Sequence, residues 1–160
     1  MNTLPPKPEI HSIRLHGPWD AKVLDDFGDQ EKVGQQRRLK IPSDWGDWLG
    51  VNFCGRVEYR RNFNRPTGLE PGQAVWLVVE RVNFHGDVFL NDRLLGSLTY
   101  CESTLQPLRV EIREHLELSN VLRIEIHAAA EIHAAADSDR PDRVGQTGGL
   151  VGSVRIEIEQ

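Results

Sequence analysis

Five residues in the middle of the chain have side chains suited to binding a sugar. They are Trp45, Trp48, His85, Asp87 and Tyr100. Sugars stack their apolar ring faces on aromatic side chains, and their hydroxyls need polar partners at fixed positions. We predict that these five residues line a shallow carbohydrate-binding cleft, where loops converge at one end of the fold.

Structural roles for these residue types remain open alternatives. A histidine such as His85 is often a turn residue whose ring bonds to backbone. Trp19 and Trp76 are predicted to lie in the core, and Trp48 fits an open loop as well as a packed one. Arg61 shares a face with apolar residues, so it needs a carboxylate or carbonyl partner if it is buried. Its alternative role is to hold a ligand hydroxyl.

The sequence carries no pattern that indicates catalysis. Glycoside hydrolysis needs two facing carboxylates at a set separation, but the acidic residues here mostly alternate along strands and face solvent. The chain has no Gly-x-Ser-x-Gly elbow and no Gly-x-x-x-x-Gly-Lys phosphate loop. We therefore predict no catalytic residue, and an unrelated enzymatic activity is the most distant hypothesis.

Metal and cofactor signals are weak. Asp137, Asp139 and Asp142 resemble part of a calcium loop, but the bidentate Glu at its twelfth position is missing. The prediction is therefore no cofactor and no metal ligand, with a structural calcium ion as the alternative. Cys54 and Cys101 form no C-x-x-C pair, so they are predicted to be thiols rather than zinc or redox residues, with a disulfide between them as the alternative.

A six-residue segment, Glu-Ile-His-Ala-Ala-Ala, occurs twice in succession over residues 125–136. One interpretation is a metal site formed by His127 and His133. In an extended strand these residues lie ~20 Å apart, whereas bonds from one ion to its ligands are only ~2 Å long. The preferred interpretation is a short duplication that lengthens a strand end or a loop.

Length and charge narrow the class of protein. The 160 residues suffice for one domain with a proper core. There are 19 Lys plus Arg against 24 Asp plus Glu, a net charge of −5, which argues against a nucleic-acid partner. The N-terminus lacks the apolar core of a signal peptide, and no stretch is apolar enough to span a bilayer. We expect a cytoplasmic protein without a membrane partner.

Apolar and charged residues alternate in three segments, which is the period of a strand with one buried face. These segments are 108–113, 122–127 and 154–159. The run Val75 to Val79 is apolar on both faces and predicts a central strand. Asn91-Asp92-Arg93 between apolar residues predicts a tight hairpin, because Asn and Asp tolerate left-handed backbone angles.

No long helix is evident, and the polar segment 25–36 is predicted to be a loop or a helical turn. Short strands separated by Gly/Pro clusters indicate an all-β sandwich or barrel. No shift in composition divides the chain. The predicted organisation is a flexible segment over residues 1–10 and a single domain over residues 11–160.

Six motifs follow one another in the order found in a known domain type. They are Leu15 to Asp20, Ile41 to Trp45, Gly55 to Phe63, Val88 to Gly96, Asn120 to Ile124, and Gly148 to Ile156. This order resembles the N-terminal sugar-binding domain of family 2 glycoside hydrolases, the β-galactosidase and β-glucuronidase group. The resemblance implies a galactose-binding-like jelly roll, an antiparallel β-sandwich of eight or nine main strands.

The resemblance also bears on function and on single residues. Family 2 enzymes carry their catalytic glutamates in a separate barrel of ~250 residues, for which this chain has no room. The resemblance thus implies a free-standing, non-catalytic domain. It places Trp45 at a position that usually packs under the fold. Asp92 stands where the family has Gly, and Val151 stands where it has Trp.

Two functional hypotheses follow. The first is a carbohydrate-binding-like module, which requires an exposed aromatic residue with polar neighbours at one end of the sandwich. The second is a protein-interaction or assembly domain with no sugar ligand, which requires an exposed apolar face or edge strand and another protein chain as partner. A sugar that stabilises the folded protein would distinguish the two hypotheses.

Overall fold

The computed structural model describes residues 3–7, 9–28, 30–50, 53–99, 106–128 and 148–160. This part of the chain forms ten strands, one short helix and one 3-10 turn at Arg113–His115. The strands are β1 Ile10–Arg14, β2 Trp19–Asp26, β3 Gln36–Leu39, β4 Gly55–Asn64, β5 Ala74–Val79, β6 His85–Leu90, β7 Arg93–Thr99, β8 Leu108–Glu111, β9 Ser119–His127 and β10 Val154–Glu159, and the helix is α1 Gly46–Leu49. The fold is thus the predicted all-β class, with ten strands rather than eight or nine.

The strands form two antiparallel sheets. The four-stranded sheet has the order β1-β10-β5-β8, and the six-stranded sheet has the order β3-β2-β4-β9-β6-β7. Strands β6 and β9 lie side by side although 28 residues separate Leu90 from Ser119. Such long-range antiparallel neighbours are typical of jelly-roll sandwiches.

Alternating side chains explain why these segments form a sandwich. In β9 the side chains of Leu122, Ile124 and Ile126 are fully buried, and the residues between them are only partly buried. In β10, Val154 and Ile156 fill the same core from the opposite sheet. Each sheet therefore lays one apolar face on the common core and turns a charged face outward, as the sequence pattern predicts.

The β6–β7 hairpin has the predicted two-residue turn. Asn91 and Asp92 have φ values of 49° and 67°. These values lie in the left-handed region, which Asn and Asp tolerate. The Asn91 side chain also bonds to Asn120, whose Oδ1 accepts at 3.0 Å.

The interior position of β5 confirms the prediction for the run Val75 to Val79, but the prediction for Trp76 is wrong. Trp76 lies half-buried on the outer face of the four-stranded sheet, and the guanidinium of Arg109 sits 3.8 Å from its ring centroid. The sequence shows an apolar residue at this position, but it does not show that an arginine from β8 covers it. The described residues of the segment 25–36 are the end of β2, a turn and the first residue of β3.

Within the described ranges, no helix is long and apolar enough to cross a membrane. Cys54 is buried, whereas Cys101 lies outside the described residues. The division at residues 10 and 11 stays a prediction. The structure adds that β1 begins at Ile10 and pairs with β10.

Candidate functional site

Four strands of the six-stranded sheet begin or end at the same end of the sandwich. Gly55 opens β4, His85 opens β6, Thr99 closes β7 and His127 closes β9. The closing segment 148–153 lies beside this end, since Gly149 N donates to Asn83 O at 2.6 Å just before β6. Trp45 N, at the start of α1, donates to Gly148 O at 3.0 Å. We call this end of the sandwich the loop end.

Cross-strand pairing aligns four polar side chains at the loop end. His85 pairs with Thr99 on one side and with His127 on the other, and His127 pairs in turn with Arg56. We call these four residues the histidine row. The row lies on the outer face, because the alternate positions Gly86 and Ile126 are buried.

The two imidazoles lie close together and are only half-buried. Their ring centroids are 4.9 Å apart with the planes inclined at 60°. His85 Nδ1 lies 2.8 Å from Thr99 Oγ1, and His85 Nε2 lies 3.0 Å from Asp87 Oδ1. Ser97 Oγ donates to the same Asp87 oxygen at 2.6 Å. Asp87 therefore joins the row as a shared acceptor.

The surroundings shift the pKa values of Asp87 and His127. Burial would raise the pKa of Asp87, but hydrogen bonds from Ser97 and His85 outweigh it and hold the pKa below its ordinary value. The pKa of His127 is lowered, first by burial and then by the charge of His85, although the carboxylate of Asp87 opposes the change. The cluster thus favours an ionised carboxylate next to a neutral imidazole.

A family model described as "Glycosyl hydrolase 2 galactose-binding domain-like" matches residues 42–156. The chain belongs to this family. The match confirms the resemblance that the order of motifs indicates.

Solved structures show the same fold. An FMN-binding β-glucuronidase from Facaelibacterium prausnitzii L2-6 superposes with a TM-score of 0.71 at 18% identity, over 94% of this chain and 23% of that enzyme. A putative β-galactosidase from Bacteroides fragilis gives 0.67 at 21% identity, over 93% and 23%. A rhamnosidase from Novosphingobium sp. PP1Y gives 0.63 at 19% identity, over 99% and 16%.

The chain therefore spans about a quarter or less of the length of these three enzymes. No curated protein matches the chain at a significant level.

The galactose-binding-like fold places the five sequence-predicted residues in different surroundings. Trp45 is 3% exposed and packs edge-on against Phe53 at 5.1 Å, so it is a core residue, as its position in the resemblance implies. Trp48 lies in α1, half-buried against the same core. Tyr100 lies outside the described residues.

His85 and Asp87 are strand residues rather than loop residues, because both belong to β6. They lie at the loop end but on the outer face of the sheet, whereas Trp45 lies on the inner face. The structure therefore does not bring Trp45 together with His85 and Asp87 in one cleft. His85 bonds to two side chains, and so it is not the backbone-bonded turn residue of the alternative interpretation.

Sequence reasoning missed His127 as the neighbour of His85. The alternating pattern correctly places His127 on the outer face of a strand, but only the β9–β6 register shows which residue lies beside it. The hypothetical partner His133 and the acidic residues Asp137, Asp139 and Asp142 lie outside the described residues.

The outer face of the four-stranded sheet carries a different arrangement. Arg155 donates to Glu157 through Nε at 3.0 Å and to Glu80 through Nη1 at 2.6 Å. Arg109, stacked on Trp76, donates to Glu159 at 2.9 Å. Each of these carboxylates thus has a guanidinium partner.

Proposed function

We propose that this galactose-binding-like domain is a non-catalytic carbohydrate-binding-like module and that Trp48 provides the aromatic contact with the sugar. The observation that carries the proposal is the partial exposure of its indole ring. Trp48 is half-buried in α1, so one part of the ring packs against the core and another part is open to a ligand. A sugar can stack an apolar ring face on the open part of the indole.

The backbone around Trp48 is held in place before any ligand binds. Asp44 Oδ1 accepts from Gly46 N at 2.9 Å and from Gly148 N at 3.1 Å, which ties α1 to the closing segment. Lys32 Nζ donates to Leu49 O at 2.5 Å from the opposite side. A ligand therefore pays less conformational entropy than it would on an unanchored loop.

The carboxyl groups support a non-catalytic role. Asp87, Glu125 and Glu58 are cross-strand neighbours on the outer face. However, Glu125 accepts from Arg123 at 2.8 Å, and Glu58 accepts from Arg60 at 3.3 Å. A glycosidase acid needs a raised pKa, whereas the pKa of Asp87 is lowered by its hydrogen bonds.

An assembly domain is the second candidate. In the solved enzymes the matched region is only 16–33% of the chain, so there the domain adjoins other protein. In the described part of this chain, the exposed large apolar side chains are Leu4, Ile10, Val33, Leu94 and Leu118. They lie on separate segments, and for this reason we rank assembly below sugar binding.

The test is a thermal-shift and calorimetry screen against galactose, glucuronic acid, rhamnose and their oligosaccharides. At about 100 times its Kd, a specific sugar should raise the Tm by about 5–10 °C. Trp48→Ala should abolish this gain. Trp76→Ala is the matched control, because Trp76 is also a half-buried tryptophan but lies on the other sheet.

A gain that survives Trp48→Ala, or is lost only in Trp76→Ala, would refute the proposed contact. If no sugar changes the Tm, sugar binding is refuted. Self-association or capture of a separately encoded catalytic chain, measured by sedimentation, would then support the assembly domain.

A further inference from the structure

Three side chains at the loop end offer ligand atoms for a metal ion. One atom each from His85, Asp87 and His127 lies within 4.8 Å of the other two, and all three residues are partly buried. The residues come from the adjacent strands β6 and β9, whose register fixes His85 opposite His127. Rigid strands hold such a constellation more firmly than loops do.

We propose that His85, Asp87 and His127 bind a zinc ion. Two imidazoles and one carboxylate are a usual ligand set for Zn²⁺ that leaves one position for water. Ca²⁺ and Mg²⁺ instead prefer sites made of oxygen ligands. The site is independent of the sugar contact proposed at Trp48.

The ligand atoms need only small rotations to reach zinc geometry. Tetrahedral ligands with bonds of about 2.0–2.1 Å lie about 3.3 Å apart. His85 Nε2 and Asp87 Oδ1 are already 3.0 Å apart. The remaining separations, up to 4.8 Å, close by side-chain rotation because the three residues are only half-buried.

The partners of these residues match what a zinc site requires. Histidine ligands commonly direct their second ring nitrogen to an oxygen, which orients the ring, and Thr99 Oγ1 lies 2.8 Å from His85 Nδ1. Ser97 Oγ likewise holds Asp87 at 2.6 Å. Arg56 at the end of the histidine row forms an ion pair with Asp25 at 3.2 Å, which offsets its charge near the site.

The hydrogen bonds of His85 are compatible with replacement of its Nε2 proton by zinc. An ionised Asp87 only accepts, so in a neutral His85 ring the proton resides on Nε2, and Nδ1 accepts from the Thr99 hydroxyl. Zn²⁺ takes the place of the Nε2 proton. The proton moves to Nδ1, which then donates a hydrogen bond to the Thr99 hydroxyl. The ring thus stays neutral.

The test uses the untagged full chain after treatment with EDTA. Calorimetry with ZnCl2 should give one site per chain, and equal concentrations of CaCl2 or MgCl2 should give no heat. His127→Asn and Asp87→Asn should each remove this site. His16→Asn should bind zinc like the wild type, because His16 is exposed and outside the cluster.

A milder variant keeps the test decisive if a ligand variant fails to fold. Thr99→Val removes only the oxygen beside His85 Nδ1 and should weaken zinc binding about 10-fold or more. Cobalt in place of zinc should give the intense visible bands of tetrahedral coordination. Equal zinc affinity in the wild type, His127→Asn and Thr99→Val would overturn the proposal, as would a weak octahedral cobalt spectrum.

Discussion

On the outer face of the four-stranded sheet, Arg155 bonds to Glu80 and Glu157, whereas on the outer face of the six-stranded sheet His85 and His127 share a single carboxylate, Asp87. Both faces arise from the same alternation of apolar and polar residues along strands. The sheets differ in which polar residues they place side by side.

The two outer faces differ in whether their polar side chains are already paired or can still bind a ligand. We call Arg155, Glu80 and Glu157 the Arg155 cluster. Its guanidinium only donates and its carboxylates only accept, so these groups pair with one another by hydrogen bonds. Each neutral imidazole keeps a nitrogen lone pair that can accept a proton or bind a metal ion. The Arg155 cluster is therefore interpreted as structural, and ligand binding is proposed only for His85, Asp87 and His127.

The largest expected effect tests whether the two faces rest on an equivalent core. Ile124 faces the core from β9 and Ile156 faces it from β10, and neither is more than 1% exposed. Each change to Ala should lower the free energy of unfolding by about 2–5 kcal/mol, because it removes buried methyl groups and leaves a cavity. Urea unfolding measures both values. A cost for one below half that of the other would show that the sheets do not share the core equally.

The next effect tests the structural role of the four-stranded face. Arg155→Met removes the closer of the two guanidinium partners of Glu157, which is 9% exposed, and should lower the free energy of unfolding by about 1–3 kcal/mol. Arg60→Met is the matched control on the other sheet, because Arg60 is exposed and pairs with Glu58 at 3.3 Å. It should cost less than about 1 kcal/mol. Equal losses in the two variants, measured by urea unfolding, would remove the distinction between the faces.

The sequence predicts most of the fold because its local patterns are strong. Alternation in 122–127 and 154–159 corresponds to strands β9 and β10, and Asn91-Asp92 corresponds to the observed turn. These features depend on residues that are near one another in the chain. The order of motifs then selects the sandwich, and the family match confirms it.

The candidate sites were harder to predict because they depend on sheet order and register. His85 and His127 are 42 positions apart, and nothing local indicates that they become cross-strand neighbours. The same limit explains Trp76, since its cover, Arg109, comes from another strand. The resemblance correctly places Trp45 in the core, but no local pattern predicts that Trp48 is half-buried.

The smallest expected effect is a pH dependence at the edge of the Arg155 cluster. A hydrogen bond from Ser153 lowers the pKa of Glu80 below its usual 4.5; burial opposes the shift, and Arg155 adds to it. The folded state thus favours the carboxylate, so its stabilising contribution is complete above the unfolded-state pKa and is lost as pH falls through the folded-state pKa. Glu80→Gln should therefore cost up to about 1 kcal/mol near neutral pH, and this cost should vanish in acid. Urea unfolding of both proteins across this range measures the difference, and a cost that grows as pH falls would contradict the assigned direction.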